Sequence, residues 1–422
     1  MKLIPYPRRS RAVDFLRGLS ILIVMLLHAR VGGAAYSPPV IVPAAWLTAA
    51  ANNGILGVCA FFVISGYVIT AFALRRDGDF RRIDLGRFYR FRASRIFPPL
   101  LGLIALNLAC RHFGCWGFGL NGIGLGRLVG ALFTFRFNRL YLAGGALLPA
   151  WAMLWSLSVE ETFYLVFPLF GRLLRAPWLI ALALAAIVIQ GPFSRHAEGW
   201  GGLYSYFGCF DLLALGCLVA MASRRWAAQT WCWPVRRALQ ATGLILFTTV
   251  CVGTDIKQAG GVIWIPSVVG LGAALFLLGS PLDNFSRVAS PGVTPFAEGD
   301  ASEGDRVLGR KAPGEASPSA NGVTPALSSR WTALAWPVCF LGFLSYELYL
   351  FYAPILLLLR LPLQALARAT GGFMPKDLTV AILIGFCAVI CGLLHTWVNE
   401  RVLRWARGRP RPGAAALTSA PA

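Results

Sequence analysis

The sequence predicts an all-α polytopic membrane protein of about ten transmembrane helices with both termini cytoplasmic, and three observations carry that prediction. Of the 422 residues, 57% are hydrophobic and only 14% are charged, well below the roughly 25% charged residues of soluble domains. The apolar residues fall in runs long enough to cross a hydrocarbon core of about 30 Å. Between the runs lie short arginine-rich segments, and most of the 39 Lys and Arg residues fall in loops that the positive-inside rule makes cytoplasmic. The net charge of +21 is thus topological rather than a nucleic-acid footprint, and no nucleic-acid partner is expected. The ten cysteines sit mostly in apolar segments without metal-type spacing. They read as small hydrophobes, and no metal is expected. Cys110 and Cys115 flank an external turn and are placed to pair with each other.

Residues 1–12 form a cytoplasmic N-terminal segment with no evident cleavage site after it, and 13–280 form the membrane core with spans one to eight. The first span covers about 13–30; Pro38, Pro39 and Trp46 mark the loop outside, and the second span covers 54–74. Residues 75–95 hold eight arginines and must be a cytoplasmic loop. The third span runs from Ile96 to near Cys110. The stretch 127–142 contains Arg127, Arg136 and Arg139, and reads as an interfacial or re-entrant helix; as a full crossing it would export every later basic loop. Spans four, five and six cover 151–174, 177–192 and about 203–222, and a basic inside loop follows. Spans seven and eight, 238–253 and 261–280, form a hairpin about a short polar turn. Residues 281–330 are rich in Ser, Pro, Gly and Ala, with GVTP at Gly292 and again at Gly322, and are expected to be a disordered cytoplasmic linker. Residues 331–400 hold spans nine, 334–359, and ten, 378–398, and 401–422 form a basic cytoplasmic tail.

The first span holds the most informative pattern. His28 lies eleven positions after Arg17, about 16 Å along a helix axis. With Arg17 at one face, the imidazole is near the midplane, where ionisable groups suggest function.

Five stretches in this order resemble the acyltransferase-3 family of integral membrane acyltransferases. They are DFLRGLSILIVMLLH from Asp14, GVCAFFVISGYVIT from Gly57, FYRFRASRIFPP from Phe88, WSLSVEETFYLVFP from Trp155 and SYELYLFYAP from Ser345. Arg17 and His28 match the family's arginine or lysine followed after ten residues by histidine, and Arg92 and Arg95 match its RxxR pair. The resemblance implies an acyl-CoA donor, most often acetyl-CoA, approached from the cytoplasm. It also implies a hydroxyl acceptor on a glycan or lipid-linked sugar, in a bacterial-type inner membrane. One departure stands out: family members often carry a histidine in the ninth span where this chain has Tyr352.

Acyl transfer to an alcohol needs the alcohol deprotonated as it attacks, and His28 is the expected general base. A short-lived acyl-histidine is the alternative role. His112 and His196 fall in expected external loops and His395 at the end of the last span. Glu160 and Glu161 are the expected partners that orient the base. Neighbouring helical positions point about 100° apart, so one, preferably Glu160, faces the site while Glu161 bonds a neighbouring helix. Arg92 and Arg95, three apart on one helical face, are expected to grip the donor's phosphates. Arg17 either joins them or pairs with Asp14. Asp211 and Tyr164 are the expected substrate-binding residues, with Asp211 alternatively a hydrogen bonder at a helix end, and Glu347 is expected to pack through a hydrogen bond. There is no Walker loop, no GxGxxG, no HExxH and no appended soluble hydrolase-like domain, so the transfer is expected of this chain alone or with a separate partner. A second reading is a proton-coupled transporter or flippase of glycan or lipid intermediates, with His28 and the glutamates as a proton relay. Paired similar halves would mark it; no such repeat is evident, and RxxR would have no use there.

Overall fold

The computed structural model of the chain describes residues 10–31, 41–143, 149–174, 176–226, 233–258, 260–280, 326–369 and 376–396. Among them the regular structure is helical, with no strand. The helices are α1 (Arg11–Val31), α2 (Ala44–Asn52), α3 (Gly54–Asp77), α4 (Leu85–His112), α5 (Leu125–Phe133), α6 (Phe137–Ala143), α7 (Pro149–Ala152), α8 (Leu154–Leu173), α9 (Pro177–Glu198), α10 (Tyr206–Trp226), α11 (Trp233–Gly253), α12 (Gly261–Leu278), α13 (Ala326–Phe343), α14 (Ser345–Ala369) and α15 (Lys376–Leu394). The N-terminal segment to residue 9, Pro38 and Pro39, the linker through residue 325 and the basic tail lie outside the described residues.

Among the described residues, six helices are long and apolar enough to cross a membrane: α3, α4, α9, α10, α11 and α12. The pair α13 and α14 makes a seventh if counted as one bent span. The chain is an integral membrane protein, and about ten spans is more than these helices supply by length and apolarity. The shortfall has a physical cause at α1 and α8, which occupy the positions of expected spans one and four. Arg17 on α1 and Glu160 and Glu161 on α8 lower the apolarity of these helices. At α15 the apolar stretch, Thr379–Leu394, is short.

Three boundaries differ from expectation in ways that bear on the site. Gly78, at φ 74°, ends α3 in the left-handed conformation that favours glycine. The Asp84 side chain then accepts the Arg87 backbone N–H at 3.0 Å and starts α4 as an N-cap. The helix therefore begins eleven residues before Ile96, so the 75–95 segment is helical from Leu85 on and carries Arg92 and Arg95 on the same helix as the third span. Helix α9 likewise runs on to Glu198, so His196 lies in its last turn and not in a loop. The expected ninth span is broken, with α13 and α14 meeting at 82° about Leu344. Its hydropathy gives no hint of this; the break lets α13 follow α1 while α14 turns toward α4.

Helix contacts use small residues, as expected where lipid removes the hydrophobic drive between helices. A Cβ at Gly66 of α3 would collide with the Leu213 carbonyl of α10, and one at Gly216 of α10 with the Val63 carbonyl of α3. Helices α1 and α13 approach in the same way, Gly18 against Val338 and Gly342 against Asp14. The expected interfacial stretch 127–142 holds α5 and α6, nine and seven residues long, too short to cross. Cys110 and Cys115 are both free thiols.

Candidate active site

Helices α1, α3, α4, α8 and α14 surround a cavity of about 850 Å³, including the space open to solvent at its mouth. Six of the residues singled out from the sequence line it: Arg17, Arg92, Arg95, Glu160, Glu161 and Tyr164. Each arrives from a different local cause. Arg92 and Arg95 share a face of the capped helix α4, one turn apart. Glu160, Glu161 and Tyr164 follow one another around α8, and Arg17 comes from the first turns of α1.

Both glutamates face the cavity, which corrects the expectation that one of them turns away. The cavity spans the gap between two neighbours of α8, so positions about 100° apart both reach it. Glu160 turns toward α3, where the Ser65 hydroxyl donates to its Oε1 at 3.2 Å. Glu161 turns toward α4, with Oε1 3.8 Å from Arg92 Nη2. The Arg92 guanidinium carbon lies 3.5 Å from the Tyr164 ring centroid, a close cation–π contact. Arg92 Nε is buried and has no hydrogen-bond partner among the described residues. Arg95 lies 5.9 Å from the Tyr346 ring centroid. Three guanidiniums against two carboxyl groups leave the cavity with surplus positive charge, in a planar, forked form suited to phosphate oxygens.

The far wall holds residues that were not singled out. Tyr346 donates to the Ile96 carbonyl at 3.3 Å, and the Tyr349 and Ser156 hydroxyls are 2.7 Å apart. The signal was present: Ser65, Ser156, Tyr346 and Tyr349 are polar atoms inside apolar helices, each needing a partner. Which of them share a wall depends on helix neighbours that no single stretch specifies.

His28 does not line this cavity. Its ring meets that of Tyr352 on α14, with centroids 5.0 Å apart and planes at 76°. Among the described residues no hydrogen bond or ion pair joins it to Glu160 or Glu161, so the expected pairing of base and carboxylate is corrected. The physical reason is charge: a buried carboxylate gains more from permanently charged arginines than from an imidazole about 16 Å deeper along α1 than Arg17.

Asp211 is also elsewhere. It is buried between α9, α10 and α12, its two oxygens 3.0 and 2.9 Å from Arg195 Nη1 and Nη2, and Ser267 donates to Oδ2 at 3.3 Å. With both oxygens engaged by Arg195, it holds helices together. Arg195 itself was missed, because GPFSRHAEG reads as a loop; the unpaired Asp211 in an apolar run was the available clue. Glu347 bonds His395 Nδ1 at 2.7 Å, joining α14 to the turn after α15, in keeping with the packing role expected of it. Among the described residues no group of His, Cys, Asp and Glu is placed to hold a metal ion.

A family model described as an acyltransferase domain matches residues 10–290. Among curated proteins, the O-acetyltransferase OatA of Staphylococcus aureus is 29% identical over 236 residues, covering 51% of this chain and 35% of that protein. The putative membrane-bound transacylase BcsY of Komagataeibacter xylinus is 29% identical over 224 residues, covering 51% and 52%. The putative peptidoglycan O-acetyltransferase YrhL of Bacillus subtilis is 28% identical over 207 residues, covering 44% and 30%. The chain thus spans from 30% to 52% of the length of these relatives. No solved structure matches it.

Proposed function

The chain belongs to the acyltransferase-3 family, whose domain covers residues 10–290, and on that premise we propose that it is a membrane O-acyltransferase. It moves an acyl group, acetyl in the first instance, from cytoplasmic acyl-CoA to a hydroxyl of a glycan or glycolipid at a bacterial inner membrane. Ten spans with both termini cytoplasmic serve this reading: the basic 75–95 segment and the start of α1 then open the cavity to the cytoplasm. The names of OatA, an O-acetyltransferase, and YrhL, a putative peptidoglycan O-acetyltransferase, make O-acetylation of peptidoglycan the leading acceptor chemistry.

The observation that carries the proposal is the cavity itself, where Arg17, Arg92 and Arg95 converge and a buried Arg92 Nε has no partner among the described residues. An unpaired buried guanidinium nitrogen is costly, and a donor phosphate would satisfy it. The residues present therefore fit the phosphates of an acyl-CoA. Arg92 and Arg95 hold them, with Tyr164 as the platform under Arg92. Glu160 and Glu161 balance the arginines when no donor is bound. His28, about 16 Å further along α1 than Arg17, is at a depth matched to the extended pantetheine arm. There the imidazole takes the proton from the acceptor hydroxyl as it attacks the thioester carbon.

The test is acyl-CoA turnover by the full chain in nanodiscs, comparing wild type, His28→Ala and Arg92→Ala/Arg95→Ala. We expect His28→Ala to lose turnover and keep donor binding, and the arginine pair to lose donor binding. A folded wild type that neither binds nor turns over any acyl-CoA tested would overturn the proposal.

A further inference from the structure

Three tyrosines stand three residues apart on α14: Tyr346, Tyr349 and Tyr352. The first two line the cavity and have bonded hydroxyls, Tyr346 to the Ile96 carbonyl and Tyr349 to Ser156. The third lies one turn deeper, edge-on to His28. It is fully buried, at 0% exposure, and its hydroxyl has no hydrogen-bond partner among the described residues. A tyrosine that merely filled this space would be better replaced by phenylalanine, because a buried hydroxyl left unpaired has lost its water without gaining a bond in return. Such a cost retained beside an imidazole, at the inner end of a row leading from a cationic cavity, is the signature of a group waiting for a partner that arrives with substrate.

We propose that Tyr352 is a catalytic hydrogen-bond donor, its O–H donating to the acyl carbonyl oxygen as negative charge builds there during transfer beside His28. The inference rests on the acyl-transfer reading above. In the step, the acceptor oxygen forms a bond to the acyl carbon and the carbon–sulfur bond breaks. The acceptor's proton passes to His28 and from there to the departing thiolate, while Tyr352 keeps its own proton throughout. A preorganised donor in a water-poor site is worth far more to such an oxyanion than the same group in water.

Tyr352→Phe removes the hydroxyl and little else. In full-length protein in nanodiscs, alongside wild type and His28→Ala, three quantities decide the matter: kcat, acyl-CoA affinity and the thermal midpoint. We expect kcat to fall about 10²-fold with donor affinity as in wild type. The thermal midpoint should stay level or rise, since the unpaired buried hydroxyl is gone. Wild-type turnover by Tyr352→Phe, with His28→Ala inactive, would overturn the inference and leave the acyltransferase reading standing. A marked loss of stability in Tyr352→Phe would also overturn it, because the hydroxyl would then be bonded within the resting protein. A wild type inert toward every acyl-CoA would bring down the functional reading and this inference with it.

Discussion

Arg195 and Arg92 both meet a carboxylate inside the helix bundle. At Arg195 the donors are all engaged: Nε with the Ile263 carbonyl, Nη1 with Gly208 and Asp211, Nη2 with Asp211 and Ser267. Its side chain is 0% exposed and that of Asp211 2%. At Arg92 the nearest carboxylate oxygen is 3.8 Å away, Nε has no partner among the described residues, and the side chain is 23% exposed to a cavity. An arginine and a carboxylate thus make a closed staple in one place and an open receptor in the other. The difference lies in how many donors the protein itself satisfies.

The widest gap between the two regions should appear in stability. Arg195→Met leaves Asp211 buried and uncompensated, and removing one partner of a buried pair costs about 3–5 kcal/mol. Unfolding measured in detergent should register that loss, and Arg195→Met/Asp211→Leu should recover most of it, because packed apolar residues replace such pairs at little cost. Arg92→Met should lose much less, since Arg95 still acts on Glu161 and the pair it breaks is already 3.8 Å apart. Equal losses at the two arginines would erase the distinction.

Much of the open cluster was legible in the sequence, and the reason is local. RxxR places two arginines on one helical face, and VEE followed by Tyr164 places three polar groups around another, so spacing along single helices suffices. Axial separation was legible too: eleven residues of one helix, α1, separate Arg17 from His28. What no stretch contained was azimuth, meaning which helix stands opposite which. His28 was therefore assigned the glutamates as partners, when it meets Tyr352 from a helix more than 300 residues away in the chain. The break at Leu344 was hidden for a related reason. Apolar residues run through it, and Gly342 marks a turn only because it seats closely on α1, a contact that the stretch itself does not reveal.

A second prediction concerns recognition. Arg92→Lys keeps the charge but loses the fork and the flat contact with Tyr164, so acyl-CoA affinity should drop about tenfold at unchanged thermal stability. Titration calorimetry in nanodiscs would measure it; undiminished affinity would mean that Arg92 acts only as a point charge. Glu161→Gln should move affinity the other way by a smaller factor. It removes an anion that competes with the donor for Arg92, and solvent at the mouth screens that competition. Weaker donor binding in Glu161→Gln would place the carboxylate in contact with the donor and end its role as a stand-in for phosphate.

The smallest effect is expected at Asp84, outside the membrane-spanning part of α4, where the open cluster begins. Its carboxylate accepts the Arg87 N–H, and that bond holds its pKa below the usual carboxylate value. A depressed folded-state pKa contributes stability that is present above the unfolded carboxylate's pKa and disappears as pH falls through the folded one. Asp84→Ala should therefore lower the thermal midpoint slightly at neutral pH and not at all in strong acid, where wild type has lost the same contribution. Donor affinity should follow in the same direction, because the first turn of α4 sets the angle at which Arg92 and Arg95 enter the cavity. Arg195 lies in the last turn of α9, and its hydrogen bonds go to Ile263, Gly208, Asp211 and Ser267, none of them on α4, so the Arg195–Asp211 staple should be indifferent to this substitution. If Asp84→Ala leaves affinity untouched, the arginines are positioned by Tyr164 and Tyr346 alone, and the open cluster is more rigid than its loose ion pair implies.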